Sequence, residues 1–207
     1  FTKMEGTTVN VKDKIAYSAM SAIRSQMRTA LGLDKVINAG AVYALKLAGS
    51  QSDSDGAAID SAWVPVNMAP VPELIGEDLA VADALGNTAN AEKLGNPDNL
   101  KFSEKLRTLF IGEDSGMHVN NFLWAYNVDT KALTRLLSCP VGAESTGLHA
   151  VDQVNGFTYI ASNFQHPGDW GGIHNVVKGT LEPLLTTPAS RAELLTGKYL
   201  RSEEHTS

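Results

Sequence analysis

Apolar positions along the chain fall in short runs that alternate with polar ones, the period of half-buried β-strands rather than of helices. Residues 40–47 (GAVYALKL) are rich in β-branched and aromatic types and stop at Gly49. Residues 61–68 (SAWVPVNM) follow a polar turn over 50–56, and further strands are expected over 109–112, 121–128, 134–138 and 157–163. Turn chemistry separates them: Asp55-Gly56, Asn155-Gly156, Asn96-Pro97-Asp98 and Asp129-Thr130-Lys131. Residues 12–27 carry Ala and Met at helical spacing, yet Ile15, Tyr17 and Ala19 alternate, and a strand is expected over 15–21. A helix is expected over 187–197, with Thr187 as cap, Pro188 in the first turn and Gly197 at the stop. The acidic, alanine-rich stretch 70–91 reads as a long insertion with one short helix near 78–84.

Many short strands with little helix predict an all-β architecture. Three acidic motifs stand before strand candidates: Glu5-Gly6-Thr7-Thr8, Asp98-Asn99-Leu100 and Glu144-Ser145-Thr146-Gly147. The second and third lie 46 residues apart, and the first and second 93, twice that interval. A repeat of roughly 40–50 residues with several strands per unit predicts a β-propeller. The chain would then hold about four blades of a larger, incomplete ring, with short helical insertions. A jelly roll or sandwich is the competing all-β reading.

Composition narrows the function classes. Seventeen Lys and Arg against 23 Asp and Glu give a formal net charge of −6, with no dense basic block. An electrostatic hold on nucleic acid or an anionic membrane is therefore not expected. No apolar run reaches the length of a membrane-spanning helix. Cys139 is the only cysteine, so neither an internal disulfide nor a thiolate metal cage is available. Gly-x-Ser-x-Gly, P-loop, Gly-x-Gly-x-x-Gly and His-Glu-x-x-His motifs are all absent, which removes the main sequence support for lipase-like, nucleotide-hydrolysing, Rossmann and zinc-protease chemistry. The chain starts at Phe1 without a leader and reads as an internal piece of a longer protein. Residues 201–207 (RSEEHTS) match the translation of a sequencing-library adapter and are set apart from residues 1–200 as a non-native tail.

In a propeller, loops at one end of the innermost strands converge on a central channel. Hard cations need such a gathering of oxygen donors, and Glu5, Asp98, Asn99, Glu113, Asp114 and Glu144 are the candidate metal ligands. Each alone has a plainer explanation as a turn former; their shared spacing is what singles them out. Gln165 and His166, in the segment Asn163-Phe164-Gln165-His166-Pro167-Gly168-Asp169-Trp170, are candidate donors to an anion, and His118, close behind Glu113-Asp114, is a candidate partner of a metal ligand or substrate contact. A capped turn and a solvated loop histidine are the competing explanations. Cys139, before Pro140, reads as a small buried hydrophobe rather than a nucleophile.

Three strings in this order, Asn96-Pro97-Asp98-Asn99-Leu100-Lys101-Phe102, Gly142-Ala143-Glu144-Ser145-Thr146-Gly147 and Asn163-Phe164-Gln165-His166-Pro167-Gly168, together with Met4-Glu5-Gly6 and Leu109–Asp114 (LFIGED), resemble the PhoX-type alkaline phosphatases, secreted bacterial enzymes with a propeller fold. The likeness covers most of residues 1–170. It implies a cluster of ferric iron and calcium that hydrolyses small phosphomonoesters in the periplasm or outside the cell. Carried over, Glu5 and Glu144 are the expected catalytic, iron-bridging carboxylates; Asp98 and Asn99 belong in or beside the calcium shell, and Glu113 or Asp114 adds an acidic contact. The family's Asn-Cys-Ala-Gly-Gly type motif, which supplies an iron-binding cysteine, is missing from this chain, so the piece alone is not expected to assemble the full cluster. The competing functions are a calcium-dependent propeller lactonase and a non-catalytic calcium-binding scaffold.

Overall fold

Alternating apolar residues build β-strands throughout much of the computed structural model, which describes residues 3–25 and 36–167. The chain is all-β there. Strands β1 (Met4–Asn10), β2 (Ile15–Met20), β3 (Ala41–Ala48) and β6 (Val64–Ile75) form an antiparallel sheet in the order β1-β2-β3-β6. A small hairpin, β4 (Gln51–Ser52) and β5 (Ala58–Ile59), is inserted between β3 and β6. A second four-stranded antiparallel sheet follows the chain without crossovers: β7 (Pro97–Ser103), β8 (Thr108–Glu113), β9 (Phe122–Asn127) and β10 (Leu133–Ser138). Strands β11 (Glu144–Val154) and β12 (Phe157–Gln165) make a final hairpin. Its turn takes positive φ at Asn155 and Gly156, as the Asn-Gly pair predicts.

The strands expected over 15–21, 40–47, 109–112, 121–128, 134–138 and 157–163 are present within a residue or two, and the one expected over 61–68 runs on to Ile75. Three expectations are corrected. The acidic motifs do not sit in loops ahead of strands; Glu5, Asp98 and Glu144 are themselves in the opening residues of β1, β7 and β11. The 93-residue interval from Glu5 to Asp98 is one sheet with long insertions rather than two repeats, so the described residues hold two four-stranded sheets and two hairpins instead of four units. No helix forms at 78–84. The Asp78 carboxylate instead accepts from the amides of Asn38 and Ala39, and the Asp83 carboxylate from those of Leu85 and Asn87. Asp83 bonds backbone two and four residues ahead, which competes with helix formation, while Asp78 is drawn to a distant segment. The helix expected over 187–197 lies outside the described residues.

The main core lies between the two four-stranded sheets. Tyr17, Ala19, Val42 and Leu74 from the first meet Leu100, Phe102, Leu109, Ile111, Trp124 and Tyr126 from the second. Each large side chain so buried contributes on the order of 1.5–3 kcal/mol. The other face of the first sheet packs Met20, Ala41 and Tyr43 against Ile23, Ile37 and Ala89.

The sheets meet through their first strands, which run side by side in one direction. Gly6 on β1 abuts the backbone of Asp98–Leu100 on β7, Thr8 accepts the Phe102 amide, and past the end of β1 the Val11 amide reaches the Glu104 carboxylate. On the other side Asn99 faces the Ser145 carbonyl, while Ser103 and the Lys105 amide bond Asp152 of β11. All three strands therefore begin at one end of the molecule.

Candidate metal centre

This shared polarity gathers the acids. Asp98 is the second residue of β7, Glu144 the first of β11, and Asp114 directly follows β8. One carboxylate oxygen from each lies within 4.8 Å of the others. Close strand approach makes this feasible: a Cβ on Gly6 would come within 2.4 Å of the Asp98 carbonyl oxygen, and one on Gly112 within 2.3 Å of that of Ser145. Only glycine lets β1 reach β7, and β8 reach β11, at these points.

The three acids strain against each other electrostatically. Burial, then the nearby Glu5 and Asp114, push the Asp98 carboxyl above its ordinary pKa. Burial, then Asp114 and Asp98, do the same to Glu144, with His166 and Lys3 opposing. Beside the triad opens a cleft of about 220 Å³, lined by Asp114, Ser115, Gly116, Asn121, Gly142, Glu144 and His166.

Of the residues proposed from sequence, Asp98, Asp114 and Glu144 are brought together. Glu5 stands at the margin, near enough to act on Asp98 but outside the triad. The Asn99 amide donates to Asp98 Oδ1 at 3.0 Å and so braces a triad member. His166 Nε2 lies 3.6 Å from Glu144 Oε1 at the edge of the cleft, and the Gln165 amide donates to the same ring nitrogen at 2.8 Å.

Glu113 and His118 are corrected: both point into the interior. Glu113 is fully buried and its two oxygens take four donors, Gly95 N (2.8 Å), Trp124 Nε1 (2.7 Å), Phe122 N (3.0 Å) and His118 Nδ1 (3.0 Å). Nothing is left to offer a metal. His118, 1% exposed, stacks its ring on Gly95, with Nε2 3.3 Å from the Asn90 carbonyl, and so cannot touch a ligand in the cleft. The signal was in the strand period. Leu109, Ile111 and Glu113 share one face of β8, and the first two are core.

Sequence reading missed two contributors. Asn121 accepts the Ser115 amide and donates to the Ala143 carbonyl, tying the loop after Asp114 to the residue before Glu144. Lys3 places its ammonium 3.8 Å from Asp114 and 4.0 Å from Glu5. Cys139 is buried, and burial pushes its thiol up to about 12, so it behaves as the inert hydrophobe expected.

Comparison with family models, curated proteins and solved structures finds no match to this chain.

Proposed function

We propose that this chain is part of a metal-dependent phosphatase acting on small phosphomonoesters, with a PhoX-like propeller whose inner strands include β1, β7 and β11. The observation that supports it above all is the convergence of Asp98, Asp114 and Glu144 to within 4.8 Å, from segments up to 46 residues apart, beside an open cleft. Asp98 and Glu144, whose carboxyls are pushed up first by burial and then by the neighbouring acids, favour a cation that relieves the repulsion. All-oxygen donors suit a hard ion, calcium first. Ferric iron is also hard, but among the described residues no cysteine stands at the cluster, as Cys139 is packed in the interior. The resemblance carries a periplasmic or secreted location with it.

On this reading Asp98, Asp114 and Glu144 hold the ions, and Asn99 fixes the rotamer of Asp98. Bound ions would neutralise phosphoryl oxygens and lower the pKa of an attacking oxygen. His166, in the cleft wall, would donate to a phosphate oxygen and so orient the ester, with Gln165 steadying its ring. The rigid strand starts hold the carboxylates in place, and positioning with charge stabilisation supplies most of such catalysis.

The test is p-nitrophenyl phosphate hydrolysis by the protein carried with its flanking coding sequence, with calcium and iron supplied. Glu144→Ala should lower turnover by about a hundredfold or more and reduce bound metal. Wild-type turnover in that variant rejects the ligand assignment. Absence of hydrolysis with every metal combination rejects the phosphatase reading. Calcium uptake without hydrolysis would point to the scaffold.

A further inference from the structure

We propose that Lys3 is a tethered cation of the acidic cluster: its ammonium balances Asp114 and Glu5 until a metal ion takes the carboxylates, then turns to the oxygens of a phosphate in the cleft. The second half rests on the phosphatase reading; the first does not.

The residue is fixed at its root and loose at its head. Its carbonyl accepts the Ser21 amide at 3.0 Å, and its backbone holds a positive φ of 50°. Its Nζ stands 3.8 Å from Asp114 Oδ2 and 4.0 Å from Glu5 Oε1, too far for a directed hydrogen bond to either, and the side chain keeps 41% of its exposure. Such a contact is held by charge and is easily exchanged. The same ammonium acts favourably on Asp98 and on Glu144. The cluster thus already carries a cation of its own, on a flexible stem.

Charge balance gives the exchange its direction. Three triad carboxylates, Glu5 and one divalent cation leave two negative charges, which would repel an anionic ester. Lys3 offsets one of them. A released ammonium remains within reach of the cleft, because Asp114 is one of the cleft's own walls.

Calorimetric titration of the protein carried with its flanking coding sequence, first with calcium alone and then, calcium-loaded, with inorganic phosphate, tests this on wild type, Lys3→Met and Lys3→Arg. Removing the competing charge in Lys3→Met should tighten calcium about threefold and weaken phosphate about tenfold. Lys3→Arg should stay near wild type in both. Calcium affinity unchanged or weaker in Lys3→Met, or phosphate affinity unchanged, overturns the proposal. No calcium uptake by wild type overturns it together with the metal centre. The expected shifts without ester hydrolysis by the flanked protein remove the phosphatase reading alone.

Discussion

Glu113 and Asp114 are adjacent acids with opposite fates. The first ends the inward face of β8 and takes four buried donors; the second steps out of the strand into the cleft. A residue-by-residue reading of acidity treats them alike, because sequence shows charge and not direction. Period supplies direction, and here it separates them. Removing a buried acceptor strands its donors without water, which costs far more than the bonds contributed net. Glu113→Ala should therefore lower unfolding free energy by about 3–5 kcal/mol in urea titration. Asp114→Ala should change it by no more than about 0.5 kcal/mol, since its side chain is half exposed and faces like charges. Equal losses in the two variants would contradict the assignment of Glu113 to the interior.

At the scale of elements, strands with apolar alternation were legible: β2, β3, β8, β9, β10 and β12. The strands that build the site were not. β1, β7 and β11 open with Glu5-Gly6, Pro97-Asp98-Asn99 and Glu144-Ser145, compositions that elsewhere mark turns. They are strands because each pairs with its hairpin neighbour and packs its backbone closely against another sheet's first strand, so tertiary contact overrides the local preference. The insertion expected over 70–91 was legible from its acidic, alanine-rich composition, yet its length stayed inside the 93-residue interval that was read as two repeats. What remained visible was the type of residue at each strand start, which is why Asp98 and Glu144 were found while their bracing partners Asn121 and Lys3 were not. The glycines at the junctions carry a consequence. Gly6→Ala places a methyl against the Asp98 carbonyl and the Leu100 amide, both backbone atoms that cannot swing aside. We expect a stability loss of about 1–3 kcal/mol from overpacking. Calcium binding should also weaken, because Asp98 itself must shift. Wild-type calcium affinity in a folded Gly6→Ala variant would mean that the β1–β7 approach does not set the position of Asp98.

The whole molecule is drawn together at both ends of β1, β7 and β11, by different means. At one end Arg107 bonds Asp13 and Asp129, and Asp152 binds Ser103; these contacts hold the Asp13, Asp129 and Asp152 carboxyls below their ordinary pKa. At the other end the triad carboxylates repel, with Asp98 and Glu144 raised. The two ends consequently respond to pH with opposite sign. The stabilisation from the lowered carboxyls is complete above their unfolded pKa, near 4, and is lost as pH falls through the folded values. The raised pair behaves inversely: ionising it costs stability, a cost absent below the unfolded pKa and complete once pH exceeds the folded one. A cation at the triad turns that cost into a gain. At a free calcium concentration a hundred times the dissociation constant, stabilisation should be about 2.7 kcal/mol, read as an increase in the urea midpoint at pH 7. It should fade as pH is lowered through the range in which Asp98 and Glu144 take up protons, and it should be absent from Asp98→Asn with Glu144→Gln. A calcium-independent midpoint at pH 7, or an equal calcium shift at pH 4, would leave the three strand ends joined by packing alone and deprive the cluster of its role in holding β7 to β11.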